Sequence, residues 1–247
     1  MKEMFQNHKR IGLFSRTFAL SVCVAASVLG LPQSLSAAAA KPTVSAPSVT
    51  RLPLNKFITK VQKSYHEVKA IRAAFTQTYN AAGGGSRVES GTVVFARGGR
   101  MRWDYVKPEK KVFLSNRKEV LLYLPEERQL DRSSVKKSDD YRVPFRLLLS
   151  RLDLRKVFYK FEDANNQFKH PPQDRVIIAY PKHAKKLGYK HVVMEFDPQM
   201  NIRRLVIVYA NNSVMTFRFS HIDRNPRLSA SLFELTAPPG TQIINHE

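Results

Sequence analysis

The sequence predicts an α+β protein built on a curved antiparallel sheet of about 10–11 strands, and three observations carry that expectation. Short apolar segments recur at intervals of roughly eight to ten residues, separated by Gly, Asn or Pro turns. One amphipathic helix precedes them, and one helical segment interrupts them. Several of the segments are apolar on both faces, whereas a sheet covered on one side alternates cleanly.

Residues 1–38 read as a secretory signal peptide that is cut away. Lys2, Lys9, Arg10 and Arg16 surround its start, and Thr17 to Leu31 form an uncharged, mostly apolar run. That run is short for a membrane span, which needs about 20 residues. Small residues follow it, which puts the cut near Ala37 to Ala40. Cys23 is the chain's one cysteine and leaves with the signal, so the processed chain has no disulfide and no thiol nucleophile. The formal net charge is +21; four cations and Glu3 leave with the signal, and +18 remains. A charge of that sign attracts nucleic acid, anionic membrane surfaces or acidic partners. Export sets nucleic acid aside.

Residues 39–53, rich in Ala, Pro, Ser and Thr, read as a flexible tether, and residues 54–247 as one domain. Leu54, Phe57, Ile58, Val61, Tyr65 and Val68 fall on one helical face, with Lys56, Lys60, Gln62 and Lys63 opposite. Strand segments follow: "IRAAFTQTY", "VESGTVVFAR", "RMRWDYVKP", "KKVFLSN", "EVLLYLP" and "RQLDRSSV". Gly83-Gly84-Gly85 and Gly98-Gly99 mark turns between them. Pro144 then opens a segment with Phe145, Leu148, Leu149 and Leu152 at helical spacing, and a further helical turn is expected near Asp153 to Val157. Strands resume with "FYKFED", "RVIIAYP", "KHVVMEFD", "IRRLVIVYA" and "SVMTFRFSHI". Leu122 and Leu124 share one face of their strand while Leu121 and Tyr123 share the other. A curved sheet wrapped around its own core, with helices over the openings, accounts for such strands. Its interior is then either filled by side chains or a cavity for an apolar ligand.

"RGGRMRWDY", Arg97 to Tyr105, alternates Arg100, Arg102 and Asp104 with Met101, Trp103 and Tyr105. Arginines interleaved with aromatics fit a single-strand nucleic-acid platform. They fit equally a half-buried strand with Trp103 inward and Arg100 and Arg102 in solvent. Export favours the second reading.

No motif carries covalent or metal chemistry. The histidines are scattered, no Cys/His ligand set exists, and there is no nucleophile elbow or phosphate loop. The carboxylates lie mostly at turns and mark no acid–base pair. The chain therefore reads as a protein that is not an enzyme, with no metal and no cofactor. Lys110-Lys111, Lys136-Lys137, Lys185-Lys186 and Arg203-Arg204 sit at strand ends or turns. They read as a solvated surface first, and as a site for anionic headgroups or an acidic partner second.

Taken in order, "IRAAFTQTY" after a helix, "SGTVVFARGGRMRWDYVKPEKKVFLSN", "EVLLYLPEERQL" and the closing "LFELTAPPGTQII" resemble the periplasmic outer-membrane lipoprotein carriers, the LolA family. The resemblance spans roughly Leu54 to Ile244. It implies a strongly curved, incomplete antiparallel barrel with a helical lid over an apolar cavity. It also implies a monomeric periplasmic carrier that takes acylated lipoproteins from an inner-membrane release transporter to an outer-membrane receptor, without a cofactor. By the same resemblance Arg97 is the residue that gates the lid, in a strand end where the family's proline is replaced by Gly98-Gly99. Phe145, Leu148, Leu149 and Leu152 would be the lid, and Phe95, Met101, Trp103, Tyr105, Leu122, Leu124 and Phe217 the acyl-chain cavity. The tether and the basic charge depart from the family pattern. A lipid- or lipoprotein-sensing adaptor with the same half-barrel is the alternative function, and an exported hydrolase on a β scaffold is a third.

Overall fold

In the computed structural model, residues 51–135 and 153–246 are described. The residues expected to form a signal peptide, nearly all of those expected to form a tether, and the expected lid residues Phe145, Leu148, Leu149 and Leu152 lie outside the described residues.

The helix α1 runs Leu54–Glu67 and buries Phe57, Ile58, Val61 and Tyr65, the face that the spacing predicts. Its ends have little local support. Pro53 stands at the N-cap position with no side-chain bond to offer, and the first turn holds no acidic residue. An isolated helix of this length is marginal in water, so α1 depends on what it packs against.

Twelve strands form one sheet among the described residues. They are β1 (Ala70–Asn80), β2 (Ser86–Ala96), β3 (Arg100–Lys107), β4 (Lys111–Ser115), β5 (Glu119–Leu124), β6 (Gln129–Ser134), β7 (Phe158–Asp163), β8 (Arg175–Pro181), β9 (Tyr189–Phe196), β10 (Ile202–Tyr209), β11 (Val214–Arg224) and β12 (Gln242–His246). Short helices α2 (Leu154–Val157) and α3 (Ala184–Leu187) sit at the start of β7 and between β8 and β9. The order is β12-β6-β5-β4-β3-β2-β1-β11-β10-β9-β8-β7, an open, curled sheet with β1 near its middle. β2 and β11 flank β1 in antiparallel register, with Phe75 opposite Gly91 on one side and Phe219 on the other.

The expected strands form as read. The difference is β12, which makes a twelfth strand and pairs in parallel with β6. A parallel pair needs a crossover, and the chain makes one over the outer face of the sheet. Phe233, Leu228 and Leu232 pack on Ala70, Val94 and Ala96 of β1 and β2. Leu235 and Ala237 then pack on Leu114, Leu121 and Leu130 of β4, β5 and β6. On the other wing, Ala164 and Phe168 cover Val176, Ile178 and Val193. These straps explain the strands that are apolar on both faces: one face lines the interior, and the other lies under a returning segment.

Register shifts locally between Ser90 and Gly91, where β2 meets β3. A Cβ at Gly91 would land on the Asp104 carbonyl oxygen and 2.9 Å from Tyr105 Cα, both backbone atoms of β3. Gly91→Ala therefore forces the two strands apart. It is expected to cost about 3 kcal/mol, read as a lower denaturant midpoint. The crossover makes a second prediction. Phe233 is 3% exposed, and the Arg100 guanidinium lies 4.8 Å from its ring centre. Phe233→Ala should cost roughly 3–5 kcal/mol in the same measurement, far more than a loosely attached tail would.

Candidate functional site

The inner face of the sheet is built from one parity of each strand. Opposite one another across β1, β2, β3 and β4 stand Ala73, Val93, Trp103 and Phe113. On the far side of β1, Phe219 faces Phe75, and Phe217 faces Gln77. Trp103 is the centre of the cluster. Its ring lies 4.7 Å from Phe75 and 5.4 Å from Phe95, both edge-on, and 5.5 Å from Phe217, and it stacks on Tyr105 at 6.3 Å. Edge-to-face pairs of this kind each add about 0.5–1.5 kcal/mol beyond burial.

Phe95, Met101, Trp103, Tyr105 and Phe217 are thus brought together, all buried. Leu122 is buried on the same face, opposite Phe113, whereas Leu124 is only half-buried. Phe75, Phe113 and Phe219 belong to the same face and were missed, although their alternation in "IRAAFTQTY", "KVFLS" and "FRFS" places them there.

Arg100 and Arg102 do not point into open solvent, contrary to the sequence reading. The crossover covers them: Arg100 lies over Phe233, and Arg102 pairs with Asp104 at 2.9 Å and donates to the Leu232 carbonyl at 3.2 Å. Alternation gives the face of a residue but not what lies on that face.

α1 lies against the interior, and arginines from separate elements fasten it and the residues flanking it through both backbone and side-chain groups. Arg97, at the end of β2, donates to the carbonyls of His66 at 2.8 Å and Val68 at 3.2 Å, at the C-terminus of the helix. A cation there also meets the negative end of the helix dipole. Arg224, at the end of β11, donates to Ser64 Oγ at 2.8 Å and lies 5.3 Å from the Tyr65 ring centre. Arg175 of β8 reaches the Leu52 carbonyl at 2.6 Å and covers the Phe57 ring at 4.5 Å, while its guanidinium pairs with Asp163 at 2.5 Å. Arg155 of α2 donates to the Asn55 carbonyl at 3.2 Å and to Gln62 Oε1 at 3.1 Å. The family resemblance singled out Arg97 as the gate of the expected lid, which lies outside the described residues; the bonding of these four arginines to α1 was not read from the sequence.

Under the C-terminal half of α1 is a recess bounded by Tyr65, Ile71, Ala73, Phe95, Ile202, Phe219 and Ile222, with a cavity volume of about 20 Å³. That is room for about one water, so the interior is filled by side chains and holds no space for a lipid. At its rim the Tyr65 hydroxyl accepts the Ile202 amide at 3.2 Å. Burial pushes the Tyr65 pKa up to about 12, so the group stays neutral and the recess stays apolar.

The opposite end of the inner face is polar. Buried Glu89 accepts from Gln77 at 3.0 Å, from Lys111 at 2.5 Å and from Arg87 at 2.9 Å. Tyr105 closes the group by donating to Gln77 Oε1 at 3.0 Å, and burial beside Glu89 raises its pKa. Lys111 is therefore not part of a solvated surface, as its place at a strand end suggested; it lies 4.5 Å from the Tyr105 ring centre and is buried. Removing one partner of a buried ion pair commonly costs about 3–5 kcal/mol, which makes this layer a firm floor to the aromatic cluster. Among the described residues, no three His, Asp or Glu side chains gather as a metal site would require.

A sequence model of the family described as "Outer membrane lipoprotein carrier protein LolA" matches residues 66–236, more than half of the chain. An outer-membrane lipoprotein carrier protein of Dechloromonas aromatica (strain RCB) is 28% identical over 179 residues, 71% of this chain and 81% of that protein. One of Bordetella avium (strain 197N) is 26% identical over 194 residues, 77% of this chain and 85% of that protein. Among solved structures, an uncharacterized conserved protein from Thermus thermophilus aligns with a TM-score of 0.49 at 13% identity, covering 78% of this chain and 99% of that one. A LolA superfamily protein from Nitrosomonas europaea aligns with a TM-score of 0.40 at 9% identity, covering 72% and 97%. With a family match across the helix end, the central sheet and the crossover, this chain belongs to the outer membrane lipoprotein carrier protein LolA family.

Proposed function

We propose that the protein is a non-enzymatic periplasmic carrier. It collects lipoproteins at an inner-membrane release transporter, shelters their acyl chains and hands them to an outer-membrane receptor, working as a monomer. The observation that supports this most is the aromatic inner face centred on Trp103, whose ring neighbours Phe95 and Phe219 line the recess under the helix that Arg97 holds. Acyl chains cost about 0.8 kcal/mol per CH2 in water, so a soluble carrier must enclose them. The recess under α1 is too small for that in its present form. Loading then requires α1 to lift from the sheet, which widens the recess along Phe95, Met101, Trp103, Phe217, Leu122 and Leu124 down to the polar layer at Glu89. In this reading, Phe145, Leu148, Leu149 and Leu152 form the lid that moves with it.

Opening and closing are two states, and the carrier needs both. Breaking the Arg97 bonds at the end of α1 costs closure free energy. Forming them again expels the cargo, so Arg97 sets the balance between the two states. Two charge-assisted bonds at a partly exposed site contribute about 1.5 kcal/mol net, or roughly tenfold in the ratio of closed to open. Failure to unload is thus expected when the latch is lost.

The direct test incubates the periplasmic protein with inner-membrane spheroplasts. The reading predicts soluble lipoprotein–carrier complexes, and absence of any released lipoprotein would refute it. A second prediction concerns the latch. Arg97→Leu should load lipoprotein at least as well as the unmodified protein yet transfer it to outer membranes roughly tenfold more slowly; transfer at the normal rate would remove Arg97 from the gate.

A further inference from the structure

One end of the β7–β8–β9 wing carries cations that none of the contacts above uses. Phe158 pairs with Pro181, and the Lys182 amide donates to the Val157 carbonyl at 2.9 Å. That pairing brings α2, the start of β7 and the turn holding α3 to one end of the sheet. Lys156 comes from α2, Lys160 from β7, and Lys182, Lys185 and Lys186 from the turn, all exposed. The carboxylates there are Asp153 and Glu162, already bridged to Lys156 at 3.3 Å and Lys160 at 2.6 Å. Lys182, Lys185 and Lys186 have no ion-pair partner among the described residues. Amid them Tyr159 is 66% exposed, one of the most exposed large hydrophobic side chains described.

The chemistry of this end fits one kind of partner. Lysine ammonium groups on flexible stems suit a diffuse anionic surface. A planar carboxylate partner is better matched by the fixed fork of arginine. An exposed tyrosine among lysines is the combination found at headgroup level, where the ring sits between apolar and wet layers. α3 buries none of its four residues and presents no apolar face to insert, so contact would be adsorption. We propose that this end of the wing docks the protein on a bilayer surface rich in anionic phospholipid headgroups. The docking end lies apart from the Trp103 face, so the proposal stands or falls independently of the carrier's cargo.

Sedimentation with lipoprotein-free vesicles tests it, using the processed chain recovered from a periplasmic extract. Vesicles of phosphatidylglycerol and phosphatidylcholine should bind the protein, pure phosphatidylcholine should not, and binding should fall as salt rises. Each lysine near such a surface changes the partition about fivefold. The variant Lys182→Gln/Lys185→Gln/Lys186→Gln should therefore bind on the order of 100-fold more weakly. A control, Lys107→Gln/Lys110→Gln/Lys118→Gln, removes the same charge from exposed positions elsewhere and should lose much less. Equal losses in the two variants would mean that net charge alone acts, and would overturn the assignment. No adsorption to the anionic vesicles would overturn it as well, pointing to an acidic protein as the partner instead.

Discussion

The bonding of α1 to arginines of the surrounding strands is the interaction on which the rest of this structure depends. The helix has no side-chain cap at Pro53, and its last carbonyls are met from outside by Arg97. Arg224, Arg175 and Arg155 complete the attachment along its length. A helix held by packing and by bonds from its neighbours, rather than by its own caps, can be released without being unfolded from within. Charge-assisted bonds suit the proposed opening, because each is directional and each would be exchanged for water were the helix to lift.

The sheet supplies the rigid half of the device. Its interior between β1 and β4 is a layer of rings around Trp103, closed at one end by the Glu89 ion-pair layer and at the other by the α1 latch. Its exterior is stiffened by the crossover from β11 to β12, which packs Phe233, Leu235 and Ala237 over five strands on the way. The same crossover provides the partners for Arg100 and Arg102. Basic residues here therefore do two jobs: arginines fasten elements to one another, and the lysines at the end of β7 and β8 remain outside that network.

Much of this was legible in the sequence. The α1 face, eleven of the strands and the inward parity of Met101, Trp103 and Tyr105 follow from local periodicity, because period and face are set by neighbours along the chain. The partners of Arg224 and Arg175 were not, because they lie 160 and 123 residues away and no local pattern encodes such distances. β12 escaped for a similar reason: "TQIINHE" is short, and its pairing with β6 exists only because the crossover brings it there. Lys111 looked like surface because it follows Glu109 and Lys110 at the start of its strand, and it is buried because Glu89 of β2 reaches it across β3. The failures cluster where tertiary contacts override local polarity.

Trp103 is the chain's only tryptophan and is 1% exposed at the centre of the inner face, which makes its fluorescence a direct report on what enters there. The protein should be loaded with a lipoprotein whose acyl chains carry bromine, a short-range quencher, and compared with the protein loaded with the unbrominated form. If acyl chains occupy the face beneath α1, the brominated cargo quenches Trp103 strongly and the unbrominated cargo does not. Equal emission from the two loaded forms would place the acyl chains elsewhere and contradict the account.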